Sequence, residues 1–221
     1  DNDWGINSYP LVPGHEVVGI VSAAGKNVRH LKTGDRAGVG WQAGSCMECE
    51  WCMRGDENLC TASRATCVGN YGGFGEQIHV DSRFAFKIPE ALASENAAPL
   101  LCGGITVYSP LRHYNVTAPM KVGVIGIGGL GHLAIQFAHA FGCEVTALST
   151  SPEKETEAKT LGADHFVAID DGSQIKRAAG SLDFILSTVC ADIKWASYMK
   201  MLRPKGTLCL VGVPPGEISI P

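Results

Sequence analysis

The chain has 221 residues, enough to bury its own core and to form one or two domains. Hydrophobic residues make up 45% and charged residues 18%, a balance that excludes a disordered tail or linker. A net charge of −4 argues against a broad nucleic-acid footprint, and no apolar run reaches the roughly 18 residues needed to span a bilayer.

Up to about residue 90 the chain reads as short strands punctuated by Gly, Asp and Pro. "HEVVGIVSAAG", "DRAGVGW", "GEQIHV" and "FAFKIP" are the four predicted strands. "PGHEVVG" sets His15 and Glu16 in the turn leading into the first of them. Trp41, near the end of the second, reads equally well as core or as pocket lining.

Between the second and third strands stands "CMECEWCMRGDENLC", with Cys46, Cys49, Cys52 and Cys60 among the chain's nine cysteines. Two uses compete. A disulfide staple suits small secreted domains, whereas four thiolates closing tetrahedrally make a structural zinc site. No charged segment followed by an apolar run opens the chain, so no secretory signal is visible. Adjacent C-x-x-C steps also suit a metal better than two crosslinks in so short a span. One structural zinc, no membrane and a cytoplasmic setting are expected.

From about Ser94 the pattern changes. "SENAAPLLCGGITVYSPLRHY" predicts a longer helical stretch with Cys102 early in it. A lone cysteine is ordinarily a small hydrophobe, a lone histidine is ordinarily hydrogen-bonded structure, and spacing cannot join Cys102 to His15. After Pro119 strand and helix alternate: "KVGVIG", "LGHLAIQFAHAFG", "EVTALS", "SPEKETEAKTLG", "HFVAI", "DFILST" and "GTLCLVGV". In the first helix Leu130, Leu133, Ala134, Phe137, Ala138 and Phe141 share one face. Ser151 is the predicted N-cap of the second, with Pro152 in its first turn. Such alternation implies a doubly wound parallel sheet.

Between the first of these strands and its helix lies "GIGGLG", where Gly126, Gly128 and Gly131 match G-x-G-x-x-G. The motif is weak alone, but here it leaves an apolar strand and opens an amphipathic helix. Such glycines make the tight turn, admit a pyrophosphate and let helix pack on strand. Amides at the helix N-terminus then meet the phosphate. NAD-binding sites usually carry Asp or Glu at the end of the next strand. This chain has Ser149, then Thr150, Ser151 and Lys154, so NADP is favoured over NAD.

"GHE", "GDRAGVG", the four-cysteine lobe, "APLLCGGIT" with "YSPLRHY", and "GIGGLGHLAIQFAHAFG" occur in this order over nearly the whole chain. Together they resemble the zinc-dependent medium-chain alcohol dehydrogenases, most of all the cinnamyl-alcohol-dehydrogenase-like branch. The resemblance implies an α/β chain: a GroES-like, mostly-β catalytic domain over 1–115, then a Rossmann NADP-binding domain over 116–221. The Cys, His, Cys set with one open position is the established catalytic zinc site of alcohol dehydrogenases. By resemblance His15 and Cys102 match its second and third ligands, and Glu16 matches the acid beside the metal. Thr106 matches the threonine near the nicotinamide, and Ser149 holds the cofactor-selecting position. Gly129, Leu130, Val189, Gly212 and Val213 complete the expected cofactor-binding set.

Two departures stand out. No cysteine precedes His15, and the stretch that carries the first ligand and the proton-relay hydroxyl is not visible. The chain stops at "GVPPGEISIP", just past the fifth strand of the second half. A fragment cut at both ends, with an impaired catalytic metal site, is therefore expected, and Cys67 is the first residue to examine as a substitute ligand. For the parent, the resemblance implies that primary alcohols and aldehydes are interconverted with NADP(H), zinc polarising the substrate oxygen, in a homodimer. A zinc-free quinone or enone reductase and a non-catalytic cofactor-binding protein are the rival readings.

Overall fold

The structure is a computed structural model that describes residues 5, 6 and 8–219. The chain divides into two compact units, Asp1–Cys102 and Gly103–Pro221.

The first unit holds β1 (Val17–Ile20), β2 (Arg36–Val39), β3 (Gln42–Gly44), α1 (Glu50–Arg54), β4 (Arg64–Ala65), β5 (Ala85–Lys87) and α2 (Ser94–Ala97). Strands β1, β2 and β5 form an antiparallel sheet in that order, and β3 pairs with β4. The core is small: Leu31, Val39 and Ala85 are buried, with Val17, Val28, Ala37 and Val80 against them. Polar ties supplement it. Lys87 Nζ and the Lys32 amide both donate to the Asp35 carboxylate, at 2.8 and 2.9 Å. The strand expected over "GEQIHV" does not form, and residues 75–80 are irregular. Alternation makes a strand only where a partner's ladder accepts it, and here Val80 alone of that stretch anchors in the core.

The second unit holds α3 (Gly103–His113), β6 (Lys121–Ile125), α4 (Gly129–Ala140), β7 (Glu144–Ser149), α5 (Glu155–Thr160), β8 (His165–Ala168), α6 (Gly172–Ala178), β9 (Leu182–Ser187), α7 (Trp195–Met199) and β10 (Leu202–Leu210). Its sheet is wholly parallel, in the order β10-β9-β6-β7-β8. That is the doubly wound order, with the crossover between β6 and β9. Both faces are covered, as period two requires when neither side meets water. Val122, Val124, Val145, Ala147, Phe184 and Leu186 face α4 with Ala134 and Ile135. Ile125, Leu148, Leu182 and Ile185 pack on the opposite side with Tyr198 and Met201.

The contact division falls at Cys102/Gly103, ahead of the expected boundary at 115/116, because α3 buries its apolar face in the second core. Val107 and Leu111 are fully buried in the cluster of Val122 and Ala134, and Tyr108 meets Phe137 and Phe141 edge-on at 5.4 and 5.7 Å. The helical stretch expected from Ser94 is also broken. After α2 the chain tightens into a 3₁₀ turn, Ala98–Leu101, carrying Pro99, and Cys102 leaves helical geometry at φ −132° and ψ −69°. Proline removes one donor and crowds the preceding turn, so a continuous helix is not available there.

Candidate functional site

The four cysteines of the lobe converge. Cys46 Sγ lies 3.9 Å from Cys52 Sγ and 3.6 Å from Cys60 Sγ, and Cys49 Sγ lies 3.6 Å from Cys52 Sγ. A disulfide would need about 2.05 Å, and all four are free thiols. Four sulfurs at about 2.3 Å from a tetrahedral zinc stand about 3.8 Å apart, so the donor set already has the dimensions of a zinc site. Local structure builds it. The Met47 backbone turns at φ 63°, Cys49 caps the start of α1 with Cys52 three residues on, and Gly55 ends that helix left-handed at φ 84°. Gln42 Nε2 then donates to the Glu57 carbonyl and to Ser63 Oγ, closing the lobe onto β3.

Electrostatics point the same way. The Glu48 and Cys49 amides directed at Cys46 draw its thiol down to about 7. The Ser45 hydroxyl, 3.3 Å away, lowers Cys52. For Cys49 the Cys52 amide favours the thiolate, but burial and the neighbouring sulfurs outweigh it and push the thiol up to about 11. Four packed sulfurs cannot all carry charge without a cation among them, and a divalent ion removes that conflict.

A second group of donors lies in the same unit. Ligand atoms of His15, Glu16 and Cys102 all stand within 4.8 Å of one another. Cys67 is not part of this group. Two devices bring its members together. The Gly72 amide donates to the Val12 carbonyl, the Gly73 amide to Gly14 and the Phe74 amide to Pro13, at 2.7, 2.9 and 2.9 Å, so 72–74 zips onto the segment before His15. Gly14 adopts φ +103°, and a Cβ there would stand 2.8 Å from the Phe74 ring. On the other side, one glycine in β2 and one just after it let the 3₁₀ turn approach. A Cβ at Gly38 would meet Leu101 Cδ1 at 2.8 Å, and one at Gly40 would stand 2.5 Å from the Leu101 carbonyl oxygen. Leu101 therefore lies directly on "GVG", and Cys102 follows it. Arg36 secures the approach, its guanidinium donating to the carbonyls of Pro89 and Leu92 at 2.7 and 2.6 Å.

In the second unit the strands β6, β7, β9 and β10 stand in register at Ile125, Leu148, Ser187 and Leu210, with β7 running one residue further. The glycine loop leaves this edge. Gly126 turns left-handed at φ +85°, and its missing Cβ makes room for Val189 Cγ1. A Cβ at Gly131 would run into the Gly126 carbonyl, and one at Gly212 into the Val189 carbonyl. Gly128 and Gly129 differ: a Cβ on either would meet nothing within 4 Å. Both are exposed where the twelve-residue α4 begins, Gly128 as its N-cap and Gly129 as its first residue, with Leu130 half-buried beside them. Ser149 ends β7, buried, its Oγ accepting from the Ser151 amide at 3.1 Å. Ser151 does not cap α5. It precedes a 3₁₀ turn, Pro152–Lys154, and makes no side-chain cap. Thr150 is exposed, and Lys154 reaches back to the Ile127 carbonyl at 2.7 Å. Thr106 stands half-buried on α3 and Val213 exposed beyond β10, outside this set of contacts.

Comparison with known proteins was made on this geometry. The family model for the alcohol dehydrogenase GroES-like domain matches residues 1–90, and that for zinc-binding dehydrogenases matches residues 129–221. The chain belongs to the zinc-dependent alcohol dehydrogenase family. The chain is 47% identical over 213 residues to an aldehyde reductase of Synechocystis, a match covering 96% of this chain and 63% of that relative. It is 44% identical over 232 residues to a probable cinnamyl alcohol dehydrogenase of Oryza sativa, covering all of this chain and 64% of that one. Among solved structures, the cinnamyl alcohol dehydrogenase of Sorghum bicolor superposes with a TM-score of 0.95 at 43% identity, over 100% of this chain and 65% of that one. CAD from Helicobacter pylori, solved in complex with NADP(H), superposes with a TM-score of 0.89 at 38% identity, over 97% and 63%. The chain spans 63% of the length of the first of these relatives. The family assignment carries the GroES-like first half and the Rossmann-like second half with it, and no helix of the described residues is long and apolar enough to cross a membrane.

Some residues that shape the site were not legible in the sequence. Leu101 with Gly38 and Gly40 places Cys102, and nothing in "GVG" read alone marks that close approach. Thr188, whose Oγ1 donates to the Ile125 carbonyl at 2.8 Å and so clamps the root of the glycine loop, left no sequence signal at all.

Proposed function

We propose that the chain is the larger part of a zinc-dependent oxidoreductase that interconverts primary alcohols and aldehydes with NADP(H). The observation that carries this reading is the convergence of His15, Glu16 and Cys102 within 4.8 Å from opposite ends of the first unit's sequence. An imidazole, a carboxylate and a thiol are donors that suit zinc, and three protein donors leave a position open for substrate. His15 and Cys102 hold the ion. Glu16 orients His15 or takes a place beside it. Bound zinc supplies Lewis-acid polarisation of the substrate oxygen. The lobe of Cys46, Cys49, Cys52 and Cys60 holds a second, structural zinc with all four positions filled.

The dinucleotide supplies the hydride chemistry, and the second unit binds it. Gly128 and Gly129 support that role, because no described residue occupies the space their missing Cβ atoms leave. Room kept open over a helix N-terminus suits a pyrophosphate. Ser149, Thr150, Ser151 and Lys154 offer hydroxyls and a cation where a carboxylate would repel a 2′-phosphate. The relatives named for aldehyde reduction and cinnamyl alcohol oxidation, and the NADP(H) complex of a similar enzyme, favour the same assignment. Thr106, Gly126, Leu130, Gly131, Val189, Gly212 and Val213 complete the cofactor site. The first unit serves the metal chemistry, and the second, which includes Thr106 on α3, serves the cofactor. A cytoplasmic homodimer acting on a small-molecule substrate completes the reading.

The test joins two measurements on the protein at the length of its relatives. Two zinc ions per chain and NADPH-dependent reduction of an aromatic aldehyde are expected. His15→Ala removes one zinc and the activity together. Zinc-free protein that reduces quinones instead would overturn the assignment.

A further inference from the structure

We propose that Lys154 is a positioning residue for the glycine loop, aiming the loop's amides at a pyrophosphate whether or not the dinucleotide carries a 2′-phosphate. The proposal rests on the dinucleotide reading above and assigns Lys154 a task beyond charge selection. Its ammonium is half-buried and donates to the Ile127 carbonyl at 2.7 Å, joining the turn after β7 to the loop after β6.

The loop is held carbonyl by carbonyl. Thr188 Oγ1 takes Ile125 at 2.8 Å, and the His132 amide takes Gly128 at 3.0 Å. Between them, Ile127 has its side chain buried in the second unit's core and its carbonyl on Lys154. In a trans peptide the carbonyl and the next N–H point in opposite directions. Holding the Ile127 oxygen therefore turns the Gly128 N–H away from Lys154. Gly128 precedes the first turn of α4, where amides have no acceptor within the helix and are left for a ligand. Gly128, on the far side of this peptide unit, has no Cβ to restrict its rotation, so an unrestrained loop would lose the aim of that amide.

The hook that carries Lys154 is itself braced. The Ser151 amide donates to Ser149 Oγ at 3.1 Å, and the Lys154 amide donates to the Ser151 carbonyl at 3.1 Å. A charge-assisted bond to a carbonyl from a partly buried ammonium is among the stronger single contacts available to a loop.

NADH separates the two tasks of Lys154, since it carries the pyrophosphate and no 2′-phosphate. Fluorescence titration of the full chain with NADH and NADPH, in the parent and in Lys154→Met and Lys154→Arg, gives the affinities. Amide hydrogen exchange at Gly128 and Gly129 without cofactor reports the loop itself. In Lys154→Met we expect NADH affinity to fall about tenfold and both glycine amides to exchange faster, while Val124 in the core stays protected. Lys154→Arg, which keeps a donor and the charge, restores both readouts. Unchanged NADH affinity and unchanged exchange in Lys154→Met, with loss confined to NADPH, would overturn the proposal. A parent chain that binds neither nucleotide would overturn the oxidoreductase reading instead. The exchange rates alone then decide the strap, faster exchange in Lys154→Met upholding it and equal exchange refuting it.

Discussion

The second unit buries Phe184, Leu186, Ile135 and Leu111 completely on one face of its sheet and Ile185, Leu148 and Met201 on the other. The core cluster of the first unit is only Leu31, Val39 and Ala85, none of the three fully buried, with a three-stranded sheet and a second of two strands. Its order comes instead from polar ties and from sulfur. A parallel sheet covered on both sides supplies its own core, whereas short antiparallel strands beside a four-cysteine lobe would draw stability from an ion bound there. The two units therefore differ in what must be removed to unfold them.

The largest expected effect is on the lobe. A strong chelator, or Cys46→Ser, should unfold residues 45–60 and expose them to protease, while the second unit keeps its protection in hydrogen exchange. Loss of protection in both units together would show that the contrast is wrong. Next come the cores. Phe184→Ala should cost about 3 to 5 kcal/mol, and Leu31→Ala about 2, since the smaller core collapses more readily around the gap. Urea unfolding followed separately in each unit measures both.

The glycine loop sharpens the comparison within the second unit. Gly131→Ala should destabilise the unit, because its Cβ would meet the Gly126 carbonyl. Gly128→Ala, with open space around the new methyl, should leave thermal stability unchanged yet weaken NADPH binding. Equal loss of stability in the two variants would remove the case that this space is kept for a ligand. Ser149→Asp should move the cofactor preference from NADPH toward NADH by roughly tenfold, read as a ratio of affinities.

The smallest effect is acid sensitivity, and each unit carries one clear group. Arg83 bonded to Asp81 holds that carboxyl down to about 2, below its ordinary 3.8. The Ser173 hydroxyl and amide do the same for Asp171, the N-cap of α6, which also lies at about 2. A depressed folded-state pKa gives stability that is complete above the ordinary value and is lost as pH falls toward about 2. Asp81→Asn and Asp171→Asn should flatten that loss between pH 4 and 2, seen in melting temperature against pH.

Much of this was present in residue order. Period-two apolar runs and a 3.6-residue stripe made the parallel sheet and α4 readable, because both patterns arise within a few residues of chain. The cysteine lobe was readable for the same reason, all four ligands lying in one short segment. Resemblance to a family, and not spacing, joined His15 to Cys102. What the tertiary structure decided was of longer range. It broke the helix at Cys102, set Leu101 on Gly38 and Gly40, left "GEQIHV" without a strand partner, and moved α3 into the second core. It also set Lys154, expected beside a 2′-phosphate, on the Ile127 carbonyl. Each of these depends on which distant backbone comes within contact distance, and a local pattern of side chains carries no record of that.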